Sequence, residues 1–146
     1  MAGTVTQTVK HYTGGFVVVS LACTGSSDDG SIPNTDLSDA IMELVEGTHY
    51  LYTVTAYPTV GGTAPDAADV FILDSKGEDL LGSVDGGTTA NKGLNLIHAT
   101  LTKTAFLYSH HMSSTYAPPV TGTLTLKVSN QDTISADYTI ELVFTR

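Results

Sequence analysis

The sequence predicts an all-β fold: an antiparallel β-sandwich or jelly roll of about seven to eight strands with at most one short helix. Three observations predict it. Thr is the commonest of the 146 residues, at 23, and Thr and Val favour pleated, half-buried surfaces. Strong helix formers are scarce, with one Arg and two Gln. Gly, at 14 residues, falls with Pro, Asn and Asp between short alternating segments, as turn punctuation does. A chain of this length is expected to be one domain, residues 1–146, with helix under ~15% against the usual third.

Each element follows from its pattern. Thr4 to Tyr12 alternates Val5 and Val9 with Thr4, Thr6, Thr8 and Lys10, and Gly14-Gly15 turns the chain. The return strand Phe16 to Thr24 completes a hairpin and is apolar on both faces, so it is either central and covered on both sides or meets another subunit on one. Leu37, Ala40, Ile41, Leu44 and Val45 recur at helical spacing, with Asp36 placed to cap the start and Gly47 just past the end. Thr48 to Tyr57 puts Tyr50, Tyr52 and Val54 on one face and Leu51, Thr53 and Thr55 on the other, before Pro58. Val70 to Asp74 is a short buried strand, and Leu94–Leu101 and Thr104–Tyr108 are two weaker ones. Thr121 to Ser129 alternates Leu124, Leu126 and Val128 with Thr123, Thr125 and Lys127. Asp137 to Thr145 puts Tyr138, Ile140, Leu142 and Phe144 on one face, with Val143 the exception on the other. The turn-forming link from Asn130 to Ser135 predicts that these last two strands form a hairpin. Two long loops, Gly25–Asp36 and Gly82–Gly93, are candidates for function.

Composition excludes several function classes. The chain carries 15 Asp and Glu against 6 Lys and Arg, net −9, so it has no basic surface for a run of phosphates or for anionic lipid. Nucleic acid and membrane are therefore not expected partners. No apolar run reaches membrane-span length, and the start lacks a signal-peptide pattern. Cys23 is the one cysteine, which rules out an internal disulfide. The expectation is a soluble acidic domain made in a reducing cytoplasm, or exported by a route the sequence does not encode.

The candidate chemistry is weak throughout, and no catalytic residue, metal site or cofactor is expected. The acidic stretch Asp28, Asp29, Asp36, Asp39, Glu43 and Glu46 lacks the EF-hand spacing and reads as a solvated loop and helix face. Asp74 to Asp79 reads as a tight turn, with Asp as a local acceptor and Gly77 at positive φ, rather than as a glycosidase pair. His110 and His111 are adjacent, so in a strand they point oppositely; His11, His49 and His98 stand singly. Cys23 closes an apolar strand and reads as a small buried hydrophobe. Gly-x-Ser-x-Gly and the phosphate-cradling glycine motifs are absent. Tyr50 and Tyr52 share a face, as a sugar-stacking platform would require, but core packing competes for them.

From residue 47 onward the chain resembles a loose group of small β-rich virion proteins of tailed bacteriophages. The resemblance is carried by Gly47-Thr-His-Tyr-Leu-Tyr-Thr-Val, Tyr57-Pro58, Ala64-Pro65-Asp66 and Ala68-Asp-Val-Phe-Ile-Leu-Asp74. It continues through Gly77, Asp79-Leu-Leu-Gly82 and Val120-Thr-Gly-Thr-Leu-Thr-Leu-Lys-Val-Ser-Asn130, and covers about two-thirds of the chain. It implies a non-enzymatic structural role in the virion: a capsid decoration or cement protein, or a neck or tail accessory, bound to major capsid protein or other virion proteins. It carries over no catalytic residue. A carbohydrate-binding adhesin is the alternative from another class, and a hydrolase comes third.

A cement role also predicts how the chain holds on. A homo-oligomer is expected, a trimer ahead of a dimer, because small domains gain grip from symmetric, multivalent contact. Residues 1–8, including Thr4, Val5 and Thr6, are expected either to extend as an arm onto a neighbour's sheet edge or to form an ordinary edge strand. Phe16, Val17, Val19 and Leu21 offer apolar contact area, and Asp28 and Asp29 face solvent or a basic patch.

Overall fold

The computed structural model describes residues 1–81, 94–107 and 119–146. In chain order the elements are β1 (Thr4–Tyr12), β2 (Phe16–Thr24), β3 (Thr35–Asp36), α1 (Asp39–Val45), β4 (Tyr50–Pro58), β5 (Ala68–Leu73), β6 (Leu94–Ile97), β7 (Lys103–Phe106), β8 (Thr125–Ser129) and β9 (Asp137–Thr145). They form two antiparallel sheets, β1-β2-β9-β4-β7 and β3-β8-β5-β6, an all-β sandwich with one short helix. The described residues hold nine strands, and the two-residue β3 accounts for the excess over the sequence expectation. The expected loop Gly82–Gly93, the pair His110-His111 and the end of Thr104–Tyr108 lie outside the described residues.

The core is the set of inward rows that alternation dictates. Val17, Val19, Leu21 and Cys23 from β2 pack with Tyr138, Ile140, Leu142 and Phe144 from β9, all buried. Leu51, Val54 and Ala56 of β4 join them, facing Val70, Ile72 and Leu126 of the second sheet. Large side chains buried to this degree each contribute roughly 1.5–3 kcal/mol relative to exposure. β2 is thus committed to the core on one face only; Phe16 on the other is 42% exposed.

The last two long strands do not form a hairpin. β9 lies between β2 and β4, and β8 between β3 and β5 in the other sheet. The link from Asn130 to Ala136 is a corner between sheets. Asn130 (φ 64°) and Ser135 (φ 54°) turn it, the Asn130 amide donates to Asp69 Oδ2 at 2.7 Å, and Ala136 is buried. Turn-forming residues serve a corner as readily as a hairpin, which is why the local pattern misleads here.

The corner holds the loop after β2 in place. Gly25 N–H donates to the Ala136 carbonyl at 2.8 Å, and Ser26 and Ser31 close the loop through backbone bonds. Gly30 (φ 76°) runs so close to the corner that a Cβ there would lie 2.5 Å from the Asp132 carbonyl carbon.

Two further expectations are corrected. In β4 the register slips between Leu51 and Thr53, making Tyr52 a bulge residue, so Val54 faces the core and does not share a face with Tyr50, which is 40% exposed. The N-cap of α1 is Ser38, with no side-chain cap bond, while Asp36 lies in β3 and accepts from the Thr125 hydroxyl at 2.6 Å. The buried helix face is Ile41, Met42 and Val45; Ala40 is exposed and Leu44 half-buried. Gln7 of β1 fixes the helix approach, donating to the Asp36 carbonyl at 2.8 Å and accepting from Ser38 N–H at 3.0 Å.

Candidate functional site

Strand register determines what the five-stranded sheet presents on its outward face. Paired residues share a face, so the outward residues of β2 (Phe16, Val18, Ser20, Ala22) specify the rest. With the β2–β9 register extended by one residue to Phe16 and Thr145, one row runs Tyr12, Phe16, Thr145, Tyr50, and the next runs Lys10, Val18, Val143, Thr53, Phe106. Beyond these lie rows of mostly Thr: Thr8, Ser20, Glu141, Thr55, Thr104, and then Thr6, Ala22, Thr139, Tyr57. The apolar end is exposed: Tyr12 is 52% accessible and Phe106 62%. Tyr52 meets Phe106 edge-on, with ring centroids 6.3 Å apart. Val143, the exception in its strand's alternation, belongs to this face.

The sequence-predicted contact residues divide accordingly. Thr4, Val5 and Thr6 lie in β1, which pairs with β2 over its whole length. Of the two expectations for residues 1–8, the chain takes the edge strand over residues 4–8; no described strand pairs with the other edge of β1. That edge is nine residues long, without proline or bulge, and carries the single charge of Lys10. Phe16 is on the open face. Val17, Val19 and Leu21 are at most 1% exposed and fill the core, so they offer no contact surface.

Asp28 and Asp29 sit at the surface of the loop after β2. The Met1 ammonium is 3.3 Å from Asp28 Oδ2, and Asp29 Oδ1 accepts from the Ser31 hydroxyl at 2.7 Å and its N–H at 3.0 Å. Those bonds from Ser31 hold the Asp29 carboxyl below its ordinary value.

The Asp74 turn has the expected chemistry. Asp74 Oδ1 accepts from the N–H groups of Lys76 and Glu78 at 2.8 and 2.9 Å, and Gly77 has φ 82°. Asp79 Oδ1 accepts from Ile72 and Leu81 N–H, both at 3.1 Å, while burial pushes the carboxyl pKa up. Cys23 is core, its thiol pushed up to about 12 by burial, far from a reactive thiolate. Among the described residues no three His, Cys, Asp or Glu come together as metal ligands would, and no helix is long and apolar enough to cross a membrane.

Sequence reasoning missed one feature. The β2–β9 register extended by two residues and the β9–β4 register extended by one set Gly15, Arg146 and His49 side by side, and His11 precedes the hairpin turn next to them. They border a groove of about 390 Å³ whose walls include Tyr12, Phe16 and Glu43. His49 is 3% exposed, with Nδ1 2.8 Å from the Thr48 hydroxyl. Burial lowers its pKa first, and the positive charge of Arg146 and neighbouring His11 lower it further, against a hydrogen bond to the Gly15 backbone. No motif could have marked this groove, because His11 and His49 come together only through the register of intervening strands.

Comparison with known proteins finds no matching family model, no matching curated protein and no matching solved structure.

Proposed function

We propose that the protein is a non-enzymatic structural protein of a phage virion, most specifically a capsid decoration or cement protein that binds major capsid protein subunits. The observation that carries this reading is the outward face of the five-stranded sheet. An aromatic band of Tyr12, Phe16, Tyr50 and Phe106 crosses the sheet beside an open nine-residue edge strand. Exposed aromatics grouped in this way are what protein interfaces use as anchors, and an open edge adds backbone pairing. The sequence resemblance from residue 47 onward supports a virion role. On this reading the protein is a homo-oligomer, trimer or dimer, located in the virion, and Asp28 and Asp29 face solvent or a basic patch on the capsid protein.

Cryo-EM of particles assembled with and without the protein tests the proposal, with added density expected at capsomer junctions. The double variant Tyr12→Ser, Phe16→Asp, folded by circular dichroism, is expected to bind particles at least about tenfold more weakly, as loss of buried aromatic anchors requires. Absence of particle density, or full binding by the variant, overturns it. Density confined to the neck or tail selects an accessory role there. The second reading, a carbohydrate-binding adhesin, is favoured by the exposed Tyr12 and Tyr50 rings, because flat aromatic faces stack on sugars. Glycan-array binding lost on Tyr50→Ala in a folded variant selects it.

A further inference from the structure

The groove beside the β1–β2 turn brings an arginine and two histidines together. Arg146 is the chain's one arginine, in a protein of net charge −9. Its side chain lines the groove with His11 and the almost fully buried His49. The ion pair found among the described residues joins Met1 and Asp28, so Arg146 and Glu43 share the groove without pairing. Gly15 makes room for the arginine: a Cβ there would lie 3.4 Å from Arg146 Cδ, and its φ of 87° disfavours any side chain.

The hydrogen bonds around His49 suit the charged ring. A neutral imidazole donates from one nitrogen and accepts at the other, whereas the imidazolium donates from both. Here Nδ1 faces the Thr48 hydroxyl, which is itself 3.2 Å from the Leu44 carbonyl and can donate to it. The Gly15 backbone beside the ring also favours the charged form. An imidazolium would satisfy both contacts and leave the Thr48 hydroxyl for Leu44. What opposes it is desolvation and the Coulombic effect of Arg146 and His11, with Glu43 of α1 the one carboxylate side chain among the described residues at the groove wall.

We infer that this groove is a binding site for an anionic group, a carboxylate or phosphate carried on a small apolar or aromatic body, held between Arg146, His11 and His49 and packed on Tyr12 and Phe16. The volume, about 390 Å³, lies in the range of small-molecule sites. An anion there supplies the missing partner to Arg146, and it offsets the repulsion that keeps His49 neutral. Binding therefore takes up a proton and tightens as pH falls toward the imidazole range.

The test is a titration of the intact protein with inorganic phosphate, acetate and benzoate, followed by long-range nitrogen–proton NMR of the histidine rings. His49 and His11 resonances are expected to move saturably, with the apparent His49 pKa rising on binding. Arg146→Gln is expected to weaken binding at least about tenfold, the worth of a charge-assisted hydrogen bond. Glu43→Gln is expected to strengthen it about threefold by removing a like charge at a partly solvated site. Opposite signs from two exposed positions cannot arise from unfolding. Unmoved histidine resonances with all three anions, or both variants binding like the parent, overturn the site. Equal binding of benzoate and acetate overturns its apolar half.

Discussion

Tyr138 fills the core beside Cys23, 1% exposed, yet its hydroxyl has no hydrogen-bond partner among the described residues. Burial is the main reason its pKa rises, with Cys23 and Asp66 adding to it. A buried unsatisfied hydroxyl costs about 1–3 kcal/mol, so Tyr138→Phe removes a penalty while keeping the ring. Thermal unfolding of Tyr138→Phe is expected at a midpoint higher by roughly 3–10 °C for a chain of this size. A fall of that size would mean the hydroxyl has a partner. His49 carries the opposite lesson: burial favours its uncharged form, so its folded pKa lies below 6.5. Between those two values the unfolded chain binds more protons than the folded one. Stability is therefore complete above about pH 6.5 and declines as pH falls through that interval. Denaturant unfolding at about pH 7.5 and about pH 5 is expected to show this loss in the parent and a smaller one in His49→Gln. Equal losses would place the acid sensitivity elsewhere.

At the scale of elements, the bulge in β4 decides which side chains reach the core. Removing Tyr52 from the count leaves Leu51, Val54 and Ala56 inward and Thr53 and Thr55 outward, in strict alternation. Deletion of Tyr52 is accordingly expected to keep the fold, losing its edge contact with Phe106 and the Leu107 N–H bond to its carbonyl, about 1 kcal/mol each. Deletion of Thr55 places Val54 and Ala56 on opposite faces and is expected to unfold the protein. Comparing the two variants by circular dichroism and thermal unfolding checks this, and equal damage would refute the assignment of the extra residue. The same physics explains what was legible in the sequence. β2 and β9 run over the residues their alternation delimits, because one buried face imposes a period of two along the whole strand, and β1, which buries no residue, pairs along the full length of β2. In β4 the period breaks by one residue, and a bulge has no signature in a run of Tyr, Leu, Thr and Val.

At the scale of the whole molecule, pairing order and the groove are non-local, and local pattern does not encode them. β8 and β9 have the alternation of half-buried strands whether they pair with each other or enter different sheets. The corner between them is specified by contacts with distant residues, Asp69 and the loop through Gly30. His49 and His11 likewise meet only because β2, β9 and β4 lie in one register. That order has a consequence for synthesis on the ribosome. The five-stranded sheet divides into β1-β2 and β4-β7, and among the described strands β9 joins them. Until residues 137–145 leave the exit tunnel, β2 and β4 each expose a backbone edge that has no partner, together with Val17, Val19, Leu21, Leu51 and Val54. The nascent chain must therefore wait for its last strand before the sheet can close. During that wait its unpaired edges are the surfaces a holding chaperone would shield from other nascent chains.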